Sequence, residues 1–94
     1  VPPAPALTLV RTATCHLCDD AQDVLDTLRR DGRIQVITLD VESPVGRALL
    51  AEHRPALYPL VLVDNEFFSA GRLPRKKLAR LLERVASDAM PPVR

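Results

Sequence analysis

Cys15 and Cys18, the two cysteines of the 94-residue chain, stand in the run Thr-Cys-His-Leu-Cys-Asp-Asp, directly after an apolar strand-like segment and at the opening of a strongly periodic helix. Three residues climb about 4.5 Å along an α-helix, inside the Cα separation of roughly 4.4 to 6.8 Å that a disulfide tolerates. The pair can therefore close and reopen locally. A bridge over so small a loop is a poor structural staple, because chain-entropy stabilisation grows with the length of the closed loop. Dithiol–disulfide exchange is the chemistry that such a pair suits.

Position divides the two thiols by role. Cys15 falls at the first turn, where the N–H groups that follow lack intrahelical partners and the helix dipole favours negative charge. Thiols so placed commonly drop from a pKa of about 8.5 into the range of about 3.5 to 7.5, which supplies thiolate at neutral pH. Cys15 is thus the expected nucleophile. Cys18, one turn further in and more buried, is the expected resolving thiol, which attacks Cys15 and releases the substrate as a dithiol. His16 favours the thiolate when protonated, whereas Asp19 and Asp20 oppose it by adding negative charge; an exposed histidine with no catalytic duty fits the position equally. Arg11, at the end of the first strand, is a candidate to hold a carboxylate or thiolate, with a solvated strand-end arginine as the alternative.

The elements that must position these groups are legible in the periodicity. Leu7 to Arg11 reads as a strand, and Thr14 is placed to cap a helix from about Cys15 to Arg30. Leu17, Ala21, Val24, Leu25 and Leu28 form one apolar stripe on that helix. Asp19, Asp20 and Asp23 suit its positive end, and Arg29 and Arg30 its negative end. After the turn at Asp31-Gly32, Ile34 to Leu39 is apolar and β-branched enough for a second, interior strand, parallel to the first. Ser43 and Pro44 open a second helix that ends near His53-Arg54, before Pro55. Leu60 to Val63 and Glu66 to Ser69 form a hairpin about Asp64-Asn65. Pro74 begins a last helix with the stripe Leu78, Leu81, Leu82 and Val85. The order βαβαββα implies an α/β fold with a small mixed sheet and helices on both faces.

Composition bounds the rest. Ninety-four residues fit one small domain, expected over residues 7–88 between a Pro-rich leader, 1–6, and a tail, 89–94. The hydrophobic share is 47%, yet no apolar run approaches the roughly 20 residues of a membrane-spanning helix. Thirteen Lys and Arg stand against twelve Asp and Glu, and Tyr58, Phe67 and Phe68 do not alternate with basic residues, so neither nucleic acid nor membrane is an expected partner. No charged segment followed by an apolar one opens the chain, although it starts on Val1; the cytoplasm is the expected compartment and a monomer the expected state.

The order of elements, Cys15-His16-Leu17-Cys18 after the first strand, and Tyr58-Pro59 before the third strand together resemble a glutaredoxin, more closely the small bacterial glutaredoxin-like proteins with Cys-His-Leu-Cys. The similarity spans about Leu7 to Val85. It implies the thioredoxin-like, glutaredoxin-type fold, a four-stranded mixed sheet flanked by three helices, and a thiol–disulfide oxidoreductase acting on disulfide-containing proteins or small thiols. It also implies that Tyr58-Pro59 is a cis peptide bond whose backbone pairs with a bound thiol peptide; base rates for X-Pro bonds taken alone favour trans. The usual Cys-Pro-Tyr-Cys is absent. Where the family has Gly-Gly and then an acidic residue, this chain has Ser69-Ala70-Gly71-Arg72-Leu73, which makes Arg72 a candidate contact to the thiol ligand. No tightly bound cofactor is expected. The electron donor stays open among glutathione, another low-molecular-weight thiol and a reductase.

Two other classes compete. A zinc site would have to draw on Cys15, Cys18, His16 and the distant His53, and His16 points off the face that the two thiols share. An iron–sulfur cluster shared between two chains is the related metal reading, and a binding module with idle cysteines is the third.

Overall fold

The computed structural model of the protein describes residues 4–89. Seven elements follow one another: β1 (Ala6–Arg11), α1 (His16–Arg30), β2 (Gln35–Asp40), α2 (Pro44–His53), β3 (Leu60–Val63), β4 (Glu66–Ala70) and α3 (Arg75–Ala89). The strands form one sheet in the order β2-β1-β3-β4, with β2 parallel to β1 and the other pairings antiparallel. This is the expected mixed four-stranded sheet with three helices.

β1 is central, and its composition explains why. Leu7, Leu9 and Val10 are fully buried and Thr8 nearly so, so the strand has no solvated face. Side chains alternate between the two sides of the sheet. On one side Leu7, Leu9, Val61 and Phe68 meet Ala21 and Leu25 of α1 and Leu78 and Leu82 of α3. On the other, Val10, Leu60 and Leu62 meet Leu49 and Leu50 of α2. Burying each such leucine contributes about 1.5–3 kcal/mol, so the α1 and α3 stripes are what hold those helices to the sheet.

The second strand is at the edge of the sheet, not in its interior. Ile34, which is buried, precedes β2, while Ile37 within it is 54% exposed. β3 adds to the far side of β1 and leaves β2 with one neighbour. The first strand also starts one residue earlier than expected, at Ala6, and the Pro5 carbonyl already accepts from the Gln35 amide at 2.9 Å. Most of the expected leader and tail, residues 1–3 and 90–94, lies outside the described residues.

Local chemistry accounts for the remaining joints. Ser43 caps α2, its Oγ accepting from the Gly46 amide at 3.0 Å, with Pro44 at the first helical position. Asp64 and Asn65 both take the left-handed conformation, with φ of 49° and 69°. That geometry matches the twist of a two-residue hairpin. A register irregularity between Val61 and Leu62 interrupts the β3–β4 pairing.

Candidate active site

Three loops meet at one end of the sheet. Val10 pairs with Leu60, and Leu60 with Ala70, so the end of β1, the start of β3 and the end of β4 lie side by side. The segment Thr12–Cys15, the turn into β3 and the loop after β4 therefore converge. The Gly71 amide donates to the Pro59 carbonyl at 3.0 Å and fastens two of these loops together. Gly71 has a φ of 89°, a conformation that L side chains avoid.

Cys15 is the N-cap of α1, a correction to the expectation that Thr14 fills that place. Its backbone is extended, with φ −160° and ψ 111°, and its Sγ accepts from the Cys18 amide at 3.1 Å. Serine, threonine, aspartate or asparagine commonly supplies an oxygen here; in this chain a sulfur does. Thr14 is exposed, one residue outside the helix.

The two free thiols are electrostatically unlike. A hydrogen bond from the Cys18 thiol, followed by those of the Cys18 amide, the Thr12 hydroxyl and the Leu17 amide, holds the Cys15 thiol below its ordinary range against an opposing effect of desolvation. Burial pushes the Cys18 thiol up, and its bond to Cys15 adds to that rise; the Thr12 backbone and the Arg11 charge act the other way. Cys15 is half-buried, whereas Cys18 is fully buried. An accessible sulfur that favours its anion thus stands next to an enclosed one that favours its proton.

Arg11 ends β1 close to this pair and is bound in two ways. Its Nη2 meets Asp19 Oδ1 at 2.5 Å and its Nε donates to the Thr12 carbonyl at 3.2 Å. The Asp19 bond is the main reason its guanidinium pKa is raised. Asp19 therefore neutralises Arg11 as well as sitting beside His16. His16 occupies the first helical position and is exposed.

The Tyr58–Pro59 bond is cis, as the resemblance implied. Pro59 is buried and Tyr58 is 40% exposed. Among the described residues, no backbone hydrogen bond outside the helices and strands involves the N–H or C=O of Tyr58. Arg72 is exposed on the loop between β4 and α3. The structure thus gathers Arg11, Cys15, His16, Cys18, Tyr58, Pro59 and Arg72 into the segments at this one end of the sheet. Among the described residues, no three His, Cys, Asp or Glu side chains form a group that could hold a metal ion.

Two contributors were not anticipated. Thr12 acts on both thiols, its hydroxyl lowering the Cys15 pKa and its backbone that of Cys18, and nothing in the run Arg-Thr-Ala-Thr distinguishes it from Thr14. Asp19 pairs with a strand residue eight positions earlier, a contact that helical spacing cannot reveal.

A family model described as glutaredoxin-like domain (DUF836) matches residues 6–83. The chain is similar in structure to an uncharacterized thioredoxin-like protein from Clostridium perfringens, with a TM-score of 0.66, 18% identity, and coverage of 87% of this chain and 71% of that one. It is also similar to a protein of unknown function from Staphylococcus aureus, with a TM-score of 0.64, 16% identity, and coverage of 90% of this chain and 94% of that one. No curated protein matches it.

Proposed function

The chain belongs to the glutaredoxin-like domain (DUF836) family and has a thioredoxin-like fold, and from that premise we propose that it is a thiol–disulfide oxidoreductase reducing protein and mixed disulfides through Cys15 and Cys18. One observation carries the reading. The Sγ of Cys15 caps α1 through the amide of Cys18, while the two thiols shift in opposite directions.

The Cys15 thiolate attacks one sulfur of the substrate disulfide, forming a Cys15–substrate bond; the displaced sulfur leaves as a thiolate and takes a proton. Cys18 then gives up its proton and attacks the Cys15 sulfur. The Cys15–Cys18 bond forms and the second substrate thiol departs. The substrate has gained two electrons and two protons; the protein has lost the two electrons and the Cys18 proton, and solvent supplies the other proton. Two molecules of glutathione or another low-molecular-weight thiol return the electrons and leave as their own disulfide.

A raised Cys18 pKa slows its attack on the mixed disulfide, and the Arg11 charge tempers that effect. The unpaired backbone groups of Tyr58 suit an extended substrate strand, with Pro59, His16 and Arg72 around it. The protein acts as a monomer without a tightly bound cofactor, on disulfide-containing proteins or small thiols. The dithiol form belongs in a reducing compartment such as the cytoplasm; no described helix is long and apolar enough to cross a membrane.

The test is turnover of a mixed disulfide with glutathione, and separately with a thioredoxin reductase system, for wild type, Cys15→Ser and Cys18→Ser. Loss of turnover in Cys15→Ser and a trapped mixed disulfide in Cys18→Ser support the reading. Equal activity in all three overturns it.

A further inference from the structure

Beside the cysteines, the start of α3 contradicts ordinary helix electrostatics. The positive end of a helix favours Asp and Glu, yet α3 opens with Arg75-Lys76-Lys77 and has no acid in its first turn. From Arg72 to Arg80 the chain carries five cations and not one carboxylate. They line one open cleft of about 620 Å³, whose other wall is Leu17 and Asp20 of α1. Leu17 lies between Cys15 and Cys18 at the start of α1, so the cleft adjoins the site.

The charge is concentrated and largely uncompensated. Outside the cleft lining, the chain has eight basic against eleven acidic side chains. Among the described residues, Arg72, Arg75, Lys76 and Arg80 make no ion pair, whereas Arg11, Arg29 and Arg47 do. Lys77 is occupied, donating to the Phe68 carbonyl at 2.7 Å and lying 4.6 Å from the centre of its ring. A helix that places cations on its own positive end is destabilised locally, and such departures collect at functional sites. An anion in the cleft would satisfy both the side chains and the free amides of the helix start.

We propose that this cleft docks an acidic segment of a protein substrate next to the disulfide that Cys15 attacks. The choice of a polypeptide rests on the neighbouring Tyr58 backbone, free to pair with a strand, and on the exposed Leu57 and Tyr58, 60% and 40% accessible, which give an adjoining apolar footing. The acidic segment steers the partner and holds its register.

The assignment of a substrate rests on the oxidoreductase reading, so two readouts are taken on the intact chain. The first is the reduction rate of a disulfide peptide flanked by four Glu against the same peptide flanked by four Gln. The Glu peptide is expected to be preferred on the order of tenfold at low salt, with the preference lost at high salt. It collapses toward one in Arg75→Gln/Lys76→Gln/Arg80→Gln, whose melting temperature is not lowered because the substitutions relieve the helix start. Asp20→Asn, which removes the one carboxylate of the cleft, raises the preference and decides the matter should the triple variant melt early. Equal rates for both peptides in wild type, or an undiminished preference in a folded triple variant, overturn the proposal. The second readout is fluorescence anisotropy of the Glu peptide with serines for cysteines. If neither peptide is reduced but this one binds wild type and not the triple variant, the docking surface stands and the oxidoreductase reading falls. Tighter binding of a single-stranded oligonucleotide of equal charge overturns the assignment to a protein.

Discussion

The amide of Cys18 lies 3.1 Å from the sulfur of Cys15, so α1 begins on the very atom proposed to react. The Cys18 side chain is also the largest influence holding the Cys15 thiol low. Favouring the anion moves the midpoint of Cys15 alkylation below the free-cysteine value of about 8.5, and a larger fraction reacts at pH 7. Cys18→Ala keeps the amide and deletes the thiol, so the midpoint for Cys15 climbs toward the ordinary value, with Cys18→Ser climbing less. Iodoacetamide rates between pH 5 and 10 read the shift. An unmoved midpoint in Cys18→Ala contradicts this account.

Arg11 pulls the Cys18 pKa down while burial pushes it up. Arg11→Gln is expected to raise it further and to slow release of the mixed disulfide at pH 7, with the deficit shrinking as pH rises. Stopped-flow measurement of product release separates this step from the first attack. Asp19→Asn leaves the charge on Arg11 and removes the carboxylate that neutralises it, so release is expected not to slow, in contrast to Arg11→Gln.

Gly71 is fixed by backbone geometry. Its φ of 89° and the placement of a built Cβ 3.0 Å from Leu57 Cδ1 both oppose any side chain. Gly71→Ala should cost about 1–2 kcal/mol from the backbone alone and weaken the bond to the Pro59 carbonyl. Urea unfolding measures the loss. Adding Leu57→Ala removes the contact with Cδ1 but keeps the Cβ of residue 57, which lies 3.2 Å from the built Cβ, so it recovers only part of the contact cost and none of the backbone cost.

Gly46 is constrained by space. An added Cβ would lie 2.1 Å from the Asp40 carbonyl oxygen, which also accepts from the Ser43 amide and hydroxyl. Gly46→Ala is expected at the upper end of the about 1–3 kcal/mol typical of overpacking, more than Ser43→Ala, which removes the cap, about 1 kcal/mol, together with the hydroxyl's bond to the Asp40 carbonyl. A thermal melt of each variant checks the order.

Most of the fold was readable because it rests on short-range rules. Ser43-Pro44 marks a helix start, Asp64-Asn65 a hairpin, and the stripe around Ala21 and Leu25 a buried helix face, each without reference to distant residues. The position of β2 in the sheet was not readable. Ile-Gln-Val-Ile-Thr-Leu is apolar enough for an interior strand, and what makes it an edge is the insertion of β3 on the far side of β1, a long-range choice that no local pattern encodes. At the site, the cysteine pair stood out by type and spacing, and Tyr58-Pro59 through the family resemblance alone. The cap on Cys15 did not, since a threonine directly before it is the commoner solution. The acid-free stretch from Arg72 to Arg80 was visible in the sequence, but its significance depends on knowing that it faces Leu17 and Asp20 across a cleft.

Five cations gathered on one flank give that flank a concentrated positive field although the formal net charge of the chain is only +1. A cation-exchange resin should retain it near neutral pH more strongly than that net charge alone suggests. In solution the same flank draws an approaching negative body, before contact, toward the end of the sheet that carries the two cysteines.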